Sequence, residues 1–494
     1  MIGWIGDFFR FWWALFYWNI RKGWFRLCGA HRDDCPCQNI SDSGLAMESR
    51  CDAVTLWHRP ARFQRVCPLL KETPEGFRCS VEAERVRPFW GRAALYCGGA
   101  LLACYLVGTT LAFVALRAAR YEVSYPMVAW PPRWHELRGA QERLYAARAQ
   151  EALARGNYQE AILSLERVCQ LNPRNYSAGL ALAGLSQVAA QPFVSEHIYE
   201  RLMRDVPDQR IQTAQIWFRM LLARANYEKV IPLAAAMLSE DPEHRGAWLH
   251  ALLFATRQTR SGDALKGILQ QNPHLPEWCT EILNLEIALL ENRLAGALPG
   301  LTRIHRQPVP TYLPYFQTER LLLHGHADDA DTVLTAYGKS VPADEAGFLR
   351  LRIYRAKGWT ALSGPEYDTL LRYPMTPRLA AKFCAHLIGH PDAGQLARYL
   401  DKFTWEGPAL SVETMPLYQA GYLAAALAGD TSRADRILAD ISKFTSSDAR
   451  VLKGLADLLK SGPSDPRLPR ILPLVPLPTE VVYAILDRPS VVKK

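Results

Sequence analysis

Residues 149–175 read AQEALARGNYQEAILSLERVCQLNPRN, and this stretch decides how the chain folds. Its marks are Gly156-Asn157-Tyr158, then Glu160-Ala161, Leu165 and Pro173. The same spacing returns along the chain. Pro207 follows Pro173 by 34 residues, and Pro242 follows Pro207 by 35. Asn226-Tyr227 precedes Pro242 as Asn157-Tyr158 precedes Pro173. Gly325, Ala330 and Pro342 repeat the Gly156, Ala161, Pro173 order, and Gly429-Asp430 with Ala434 does so again. Apolar residues recur at helical intervals from near Leu137 to about Leu459.

This pattern resembles the tetratricopeptide repeat, a helix–turn–helix of about 34 residues. The resemblance covers roughly residues 140–460. It is carried most fully by the first unit and more loosely by stretches such as Ala264–Pro273 and Leu283–Ile304. It gives Ala161 the place where two helices cross closely, Tyr158 the space between them, and Pro173 the end of the second helix. Val168 stands where the family usually has Ala. The resemblance implies seven to ten helix pairs stacked as a right-handed α-solenoid. It also implies a concave surface that binds peptides or partner proteins.

Working back from the repeats, Ala93–Leu116 reads AALYCGGALLACYLVGTTLAFVAL, uncharged and bracketed by Arg92 and Arg117. A bilayer core takes about 20 apolar residues in a helix, so a single membrane-crossing helix is expected here. Ala100, Cys104, Gly108 and Ala112 place small residues at four-residue spacing, a stripe that permits self-association. Arg78, Arg85, Arg87 and Arg92 before the run balance Arg117, Arg120, Arg133 and Arg138 after it. Further basic residues at Arg59, Arg62, Arg65 and Lys71, with clustered cysteines, place the N terminus in the cytoplasm. The long second half then lies outside, in the periplasm if the membrane is a bacterial inner membrane. Residues 117–139 read as a linker, with Trp130 and Trp134 near the interface. The fold class is all-α: one transmembrane helix, then a tetratricopeptide-like α-solenoid, preceded by a small Cys-rich segment.

Residues 1–27 are strongly aromatic. On a helix, Ile5, Phe9, Trp12, Trp13, Phe16 and Ile20 share one face, while Asp7, Arg10, Asn19, Arg21 and Lys22 lie on the other. This is the pattern of an amphipathic helix lying in the membrane interface. A helix packed on a partner is the alternative. Residues 28–92 hold Cys28, Cys35, Cys37, Cys51, Cys67 and Cys79 with His31 and His58. Thiolates and imidazole suit Zn²⁺ or an Fe–S cluster. The ligand pool is Cys35, Cys37, Cys51, Cys67 and Cys79, with Cys28 and His31 in reserve. No C-x-x-C pair is present, so reduced structural thiols, disulfides or redox thiols remain alternatives.

The net charge of +9 is mostly dispersed arginine, with no block of five basic residues, which suits anionic lipid better than nucleic acid. No enzyme motif is complete. His135-Glu136 has Gly139 where H-E-x-x-H needs its second His. Gly338-Lys339-Ser340 lacks the earlier Gly of a phosphate loop, Val333 standing there. His305, His324, His326 and His390 are scattered. The Pro-rich tail, residues 461–494, carries the apolar run Ile471–Pro476 and is expected to dock on the last helices. The sequence thus points to a membrane-anchored protein–protein interaction scaffold, in envelope assembly, secretion or polysaccharide export, and not to an enzyme. The alternative is a transmembrane metal or redox sensor.

Overall fold

The computed structural model describes residues 12, 13, 16, 20, 70–73, 76–79 and 90–488, except 190, 306–308, 339, 445, 463 and 464. The chain divides into two compact units, residues 1–144 and 145–494. It is all-α in class, with one β hairpin.

In the first unit, Trp12, Trp13, Phe16 and Ile20 are helical, with Trp13, Phe16 and Ile20 exposed. Strands β1 (Leu70–Thr73) and β2 (Gly76–Cys79) pair antiparallel, Leu70 opposite Cys79. Four-residue strands are too short to show a period-two pattern in sequence, which is why the hairpin was not foreseen. Helix α1 (Trp90–Ala118) contains an apolar stretch, Gly98–Ala118, long enough to cross a membrane and almost wholly exposed. It stops at Arg120, whose φ of 65° is left-handed, while Tyr121 N–H bonds back to the Leu116 carbonyl at 3.0 Å. Then come α2 (Tyr125–Ala129), a 3₁₀ turn at Pro131–Arg133 and α3 (Trp134–Ala154). Val123, Val128 and Ala140 are buried together against Phe113, Leu116, Met127 and Leu137.

The second unit is a stack of nine helix pairs. The end of α3 pairs with α4 (Tyr158–Leu171), α5 (Tyr176–Val188) with α6 (Pro192–Asp205), and α7 (Arg210–Ala223) with α8 (Tyr227–Glu240). Next are α9 (Arg245–Thr259) with α10 (Gly262–Gln271), α11 (Glu277–Leu290) with α12 (Leu294–Leu301), and α13 (Tyr312–Leu323) with α14 (Ala327–Ala336). The last pairs are α15 (Ala343–Ala356) with α16 (Thr360–Leu371), α17 (Pro377–Gly389) with α18 (Ala393–Glu406), and α19 (Met415–Ala428) with α20 (Thr431–Ser442). Helix α21 (Ser446–Ser461), α22 (Leu468–Ile471) and α23 (Thr479–Leu486) follow.

The turns explain the period. Gly156, Ala225, Arg260, Asn292, Gly325, Gly358 and Gly429 all have φ between 51° and 82°. In each case the next residue's N–H reaches the carbonyl five residues back, as Asn157 to Ala152 at 2.8 Å and Trp359 to Tyr354 at 2.7 Å. This motif satisfies the carbonyls a helix end leaves open. The second helix then starts at once. Asn157 accepts from Glu160 N–H, and Asp430 from Arg433 N–H, each filling an open donor. Four residues into the second helices, Ala161, Ala297 and Ala330 are buried and Ala434 nearly so, as a close helix crossing requires.

Candidate interaction site

Helices α9, α11, α13 and α15 each bring an ionisable side chain to the same face. Arg257, Glu286, Glu319, Arg320 and Arg352 stand 29 to 34 residues apart between successive helices, the period of the pairs. They join into one ladder. Arg257 grips Glu286 with two bonds, Nε to Oε1 at 2.9 Å and Nη2 to Oε2 at 3.2 Å. Its Nη1 reaches Glu319 Oε2 at 3.4 Å, and Arg352 Nη1 reaches Glu319 Oε1 at 3.4 Å. Arg320 Nε lies 3.3 Å from Glu286 Oε2. The Glu286 side chain is fully buried.

Burial alone would raise the Glu319 carboxyl, but Arg257, Arg352, His250 and Arg320 overrule it and hold it at about 2. Burial lowers His250 from its ordinary value, with Glu319 opposing. Its Nδ1 lies 3.3 Å from Tyr312 Oη. Three arginines against two glutamates leave the ladder one positive charge.

The tail lies beside this ladder. The Tyr483 ring of α23 packs edge-on to His250 at 4.6 Å and to Phe254 at 4.8 Å, and approaches Phe218 of α7 at 6.4 Å. Val481, Val482 and Ile485 are buried in a cluster with Leu222, Phe254, Phe383 and Leu387. Asp487, just beyond α23, feels Arg352, Arg257 and Arg320, yet burial and then Glu319 raise its carboxyl above the ordinary value. The expectation that the tail docks holds at its start, where α22 meets α21. It needs correction beyond that, because α23 reaches α17, α7 and α9 rather than stopping on the last helices. The reason is that Phe218, His250 and Phe254 offer an aromatic face, shared with Tyr227, Tyr312 and Tyr315, into which the Tyr483 ring fits.

Magnitude separates a resident from a visitor. Leu468, Leu472, Val475, Val481, Val482 and Ile485 are all buried. At about 1.5–3 kcal/mol per aliphatic side chain, this burial is of order 10 kcal/mol, as large as the stability of a whole domain. The tail is therefore part of the fold, and the face beside the ladder is filled by the chain itself.

What remains open lies along the turns. Phe193, at the start of α6, is 84% exposed, and Tyr158 and Val188 are exposed on the neighbouring helices. A cavity of about 490 Å³ is lined by Pro192, Phe193, Glu196, Arg224, Lys229 and Pro469. Lys229 Nζ pairs with Glu196 at 3.0 Å and Glu200 at 3.2 Å. Arg224 Nε has no hydrogen-bond partner among the described residues, and burial lowers its guanidinium.

The other residues singled out in the sequence fall elsewhere. Cys28, His31, Cys35, Cys37, Cys51 and Cys67 lie outside the described residues, and Cys79 ends β2. Among the described residues no three His, Cys, Asp or Glu side chains gather as a metal site. Ala100, Cys104, Gly108 and Ala112 are exposed on α1. His305 pairs with Glu281 at 3.2 Å and His326 with Asp329 at 3.2 Å. The ladder escaped sequence reasoning because its members sit some thirty residues apart among ordinary surface charges. Its signal was their recurrence near the ends of alternate helices. No family model matches the chain, and no curated protein matches it.

Proposed function

We propose that this protein is a membrane-anchored interaction scaffold. Helix α1 anchors it, and tetratricopeptide-like pairs present a partner surface outside the cytoplasm. The observation that carries this reading is the open turn edge, where exposed Phe193 stands over a cavity with Arg224, whose Nε has no hydrogen-bond partner among the described residues. The aromatic face of α7 and α9 is taken by α23, so the partner surface is this edge. An aromatic anchor and an arginine with an open Nε suit a partner segment that is apolar and acidic. The test is affinity capture from membranes with the full chain as bait, comparing wild type with the Phe193→Ser, Arg224→Gln double variant. The variant is expected to lose partners while its urea unfolding is unchanged. Recovery of the same partners by both proteins would sink the edge as the docking surface. A reporter fused after Lys494 checks the side of the membrane, with activity expected outside the cytoplasm.

A further inference from the structure

Between α1 and α3 the chain turns back on itself. After Arg120 it runs antiparallel to α1. Tyr125 Oη sits 3.4 Å from Thr109 Oγ1 and 3.3 Å from Thr110 Oγ1, and its ring meets Phe113 edge-on at 5.7 Å. Further along, Tyr105 Oη donates to the Ala129 carbonyl at 2.5 Å. The direction then reverses at Pro131–Arg133. Ala140 of α3 packs back against Val123 and Val128, and Arg143 lies 3.8 Å from Glu122. Residues 121–143 are thus a hairpin laid along α1, with its tip level with Tyr105.

The tip is made for a place where water is scarce. Pro126, Pro131 and Pro132 have no N–H to satisfy. Met127, Trp130 and Arg133 N–H groups bond to the carbonyls of Ser124, Pro126 and Trp130. Three tip carbonyls receive side-chain partners: Ala129 from Tyr105, Val128 from Trp134 Nε1 at 3.0 Å, and Pro132 from His135 Nδ1 at 2.8 Å. Backbone facing hydrocarbon must be satisfied internally in this way. The outward residues nonetheless suit a boundary. Trp130 is 61% and Trp134 51% exposed, with Arg133 exposed between them. Trp beside Arg is the composition of the headgroup level.

Length supplies the depth. Helix α1 has 29 residues. That is ~44 Å at ~1.5 Å per residue, against a hydrocarbon core of ~30 Å. About twenty residues counted from Ala93, the first after Arg92, reach Ala112, so the last turn of α1 stands clear of the core. Tyr105 lies ~10 Å back from Ala112. Interfacial elements bury their apolar side about 5–10 Å deep, which matches this level.

We propose that residues 121–143 form a re-entrant hairpin whose tip, Met127–Trp134, is seated in the lipid interface of the leaflet from which α1 emerges. The hairpin fixes where the helix leaves the bilayer, near Ala112 rather than at Leu116. This inference rests on the proposed membrane crossing by α1.

The full chain is reconstituted in vesicles of phosphatidylcholine and phosphatidylglycerol, with Leu101, Glu122 or Trp130 replaced by a fluorescent amino acid. Quenching is compared among lipids bearing a nitroxide deep in the chain, lipids bearing one near the headgroup, and aqueous iodide. The expected result is several-fold preference for the deep quencher at 101, the headgroup quencher at 130, and iodide at 122. A label at 130 that follows iodide, with 101 still deep, overturns the hairpin and leaves the membrane crossing standing. A label at 130 as deep as 101 overturns the interfacial placement. A label at 101 that follows iodide overturns the crossing and the hairpin together.

Discussion

The ladder of Arg257, Glu286, Glu319, Arg320 and Arg352 and the clasp of Tyr105, Tyr125 and Trp134 both hold polar groups between helices. The ladder does so with ions, each carboxylate shared by two guanidinium groups. The clasp uses no charge. It satisfies carbonyls with hydroxyl and indole donors and removes N–H groups by proline. The difference follows from the alternatives open to each group. A carboxylate inside a protein is tolerable when cations stand within bonding distance, and costly when they do not. In lipid even a paired ion is expensive, so neutral donors serve better. The ladder should therefore be fragile to loss of one member, and the clasp tolerant of it.

The largest effect is expected at the centre of the ladder. Glu286→Ala leaves Arg257 and Arg320 buried without their carboxylate and should cost about 3–5 kcal/mol in urea unfolding. A loss below about 1 kcal/mol would mean that water enters and screens the site. Acid sharpens the same point. Glu319 is held at about 2, below its usual 4.5. Its contribution is present above that ordinary value and is lost as the pH falls from there toward the folded value. A melting series across that interval should fall steeply in wild type and flatten in Glu319→Gln.

Next comes the tail. Tyr483→Ala removes the ring packed on His250 and Phe254 and should cost about 3 kcal/mol by the same measurement. It should also speed proteolysis between α21 and α23. At the turns, Gly325→Ala keeps open space around the new Cβ but forces a side chain onto φ of 82°. About 1–2 kcal/mol is expected from backbone strain alone. The clasp should give the smallest stability change. Tyr105→Phe removes one donor, worth about 0.6 kcal/mol among helices in a membrane, read by thermal unfolding in vesicles. Asp487 sets a weak opposite pH trend. Its carboxyl is raised in the docked tail, so docking firms as the pH drops through the folded value, and hydrogen exchange in α23 should slow.

The helix pairs were legible wherever glycine or asparagine marks the turn. Gly156-Asn157 and Gly429-Asp430 state the left-handed stop and the next cap in two adjacent letters. The turns at Ala225 and Arg260 share that conformation with residues that do not announce it; the first was read only from the Asn226-Tyr227 that follows it, and the second as loose spacing. The buried alanines at 161, 330 and 434 were also visible, because a small residue at a fixed offset has a steric reason. The ladder was not, since charge says nothing of burial until neighbouring helices are placed. The tail could be read as apolar, but its destination depends on where the stack forms an aromatic face. The turn edge was missed for a related reason: Phe193 follows Pro192 at a helix start and reads as ordinary core.

The contact between Phe218 and Tyr483 joins residues 265 apart in the chain. During synthesis, α7 and α9 emerge long before α23 exists. The part of their aromatic face that Tyr483 covers must wait until α23 has been made. Local pairs can form early, but closing so long a loop is slow. A chain that stops short of Thr479 should therefore carry a recognisable lesion, an apolar inner face, and become a substrate for chaperones and proteases. Helix α23 then closes the stack from a distance, before any partner meets it.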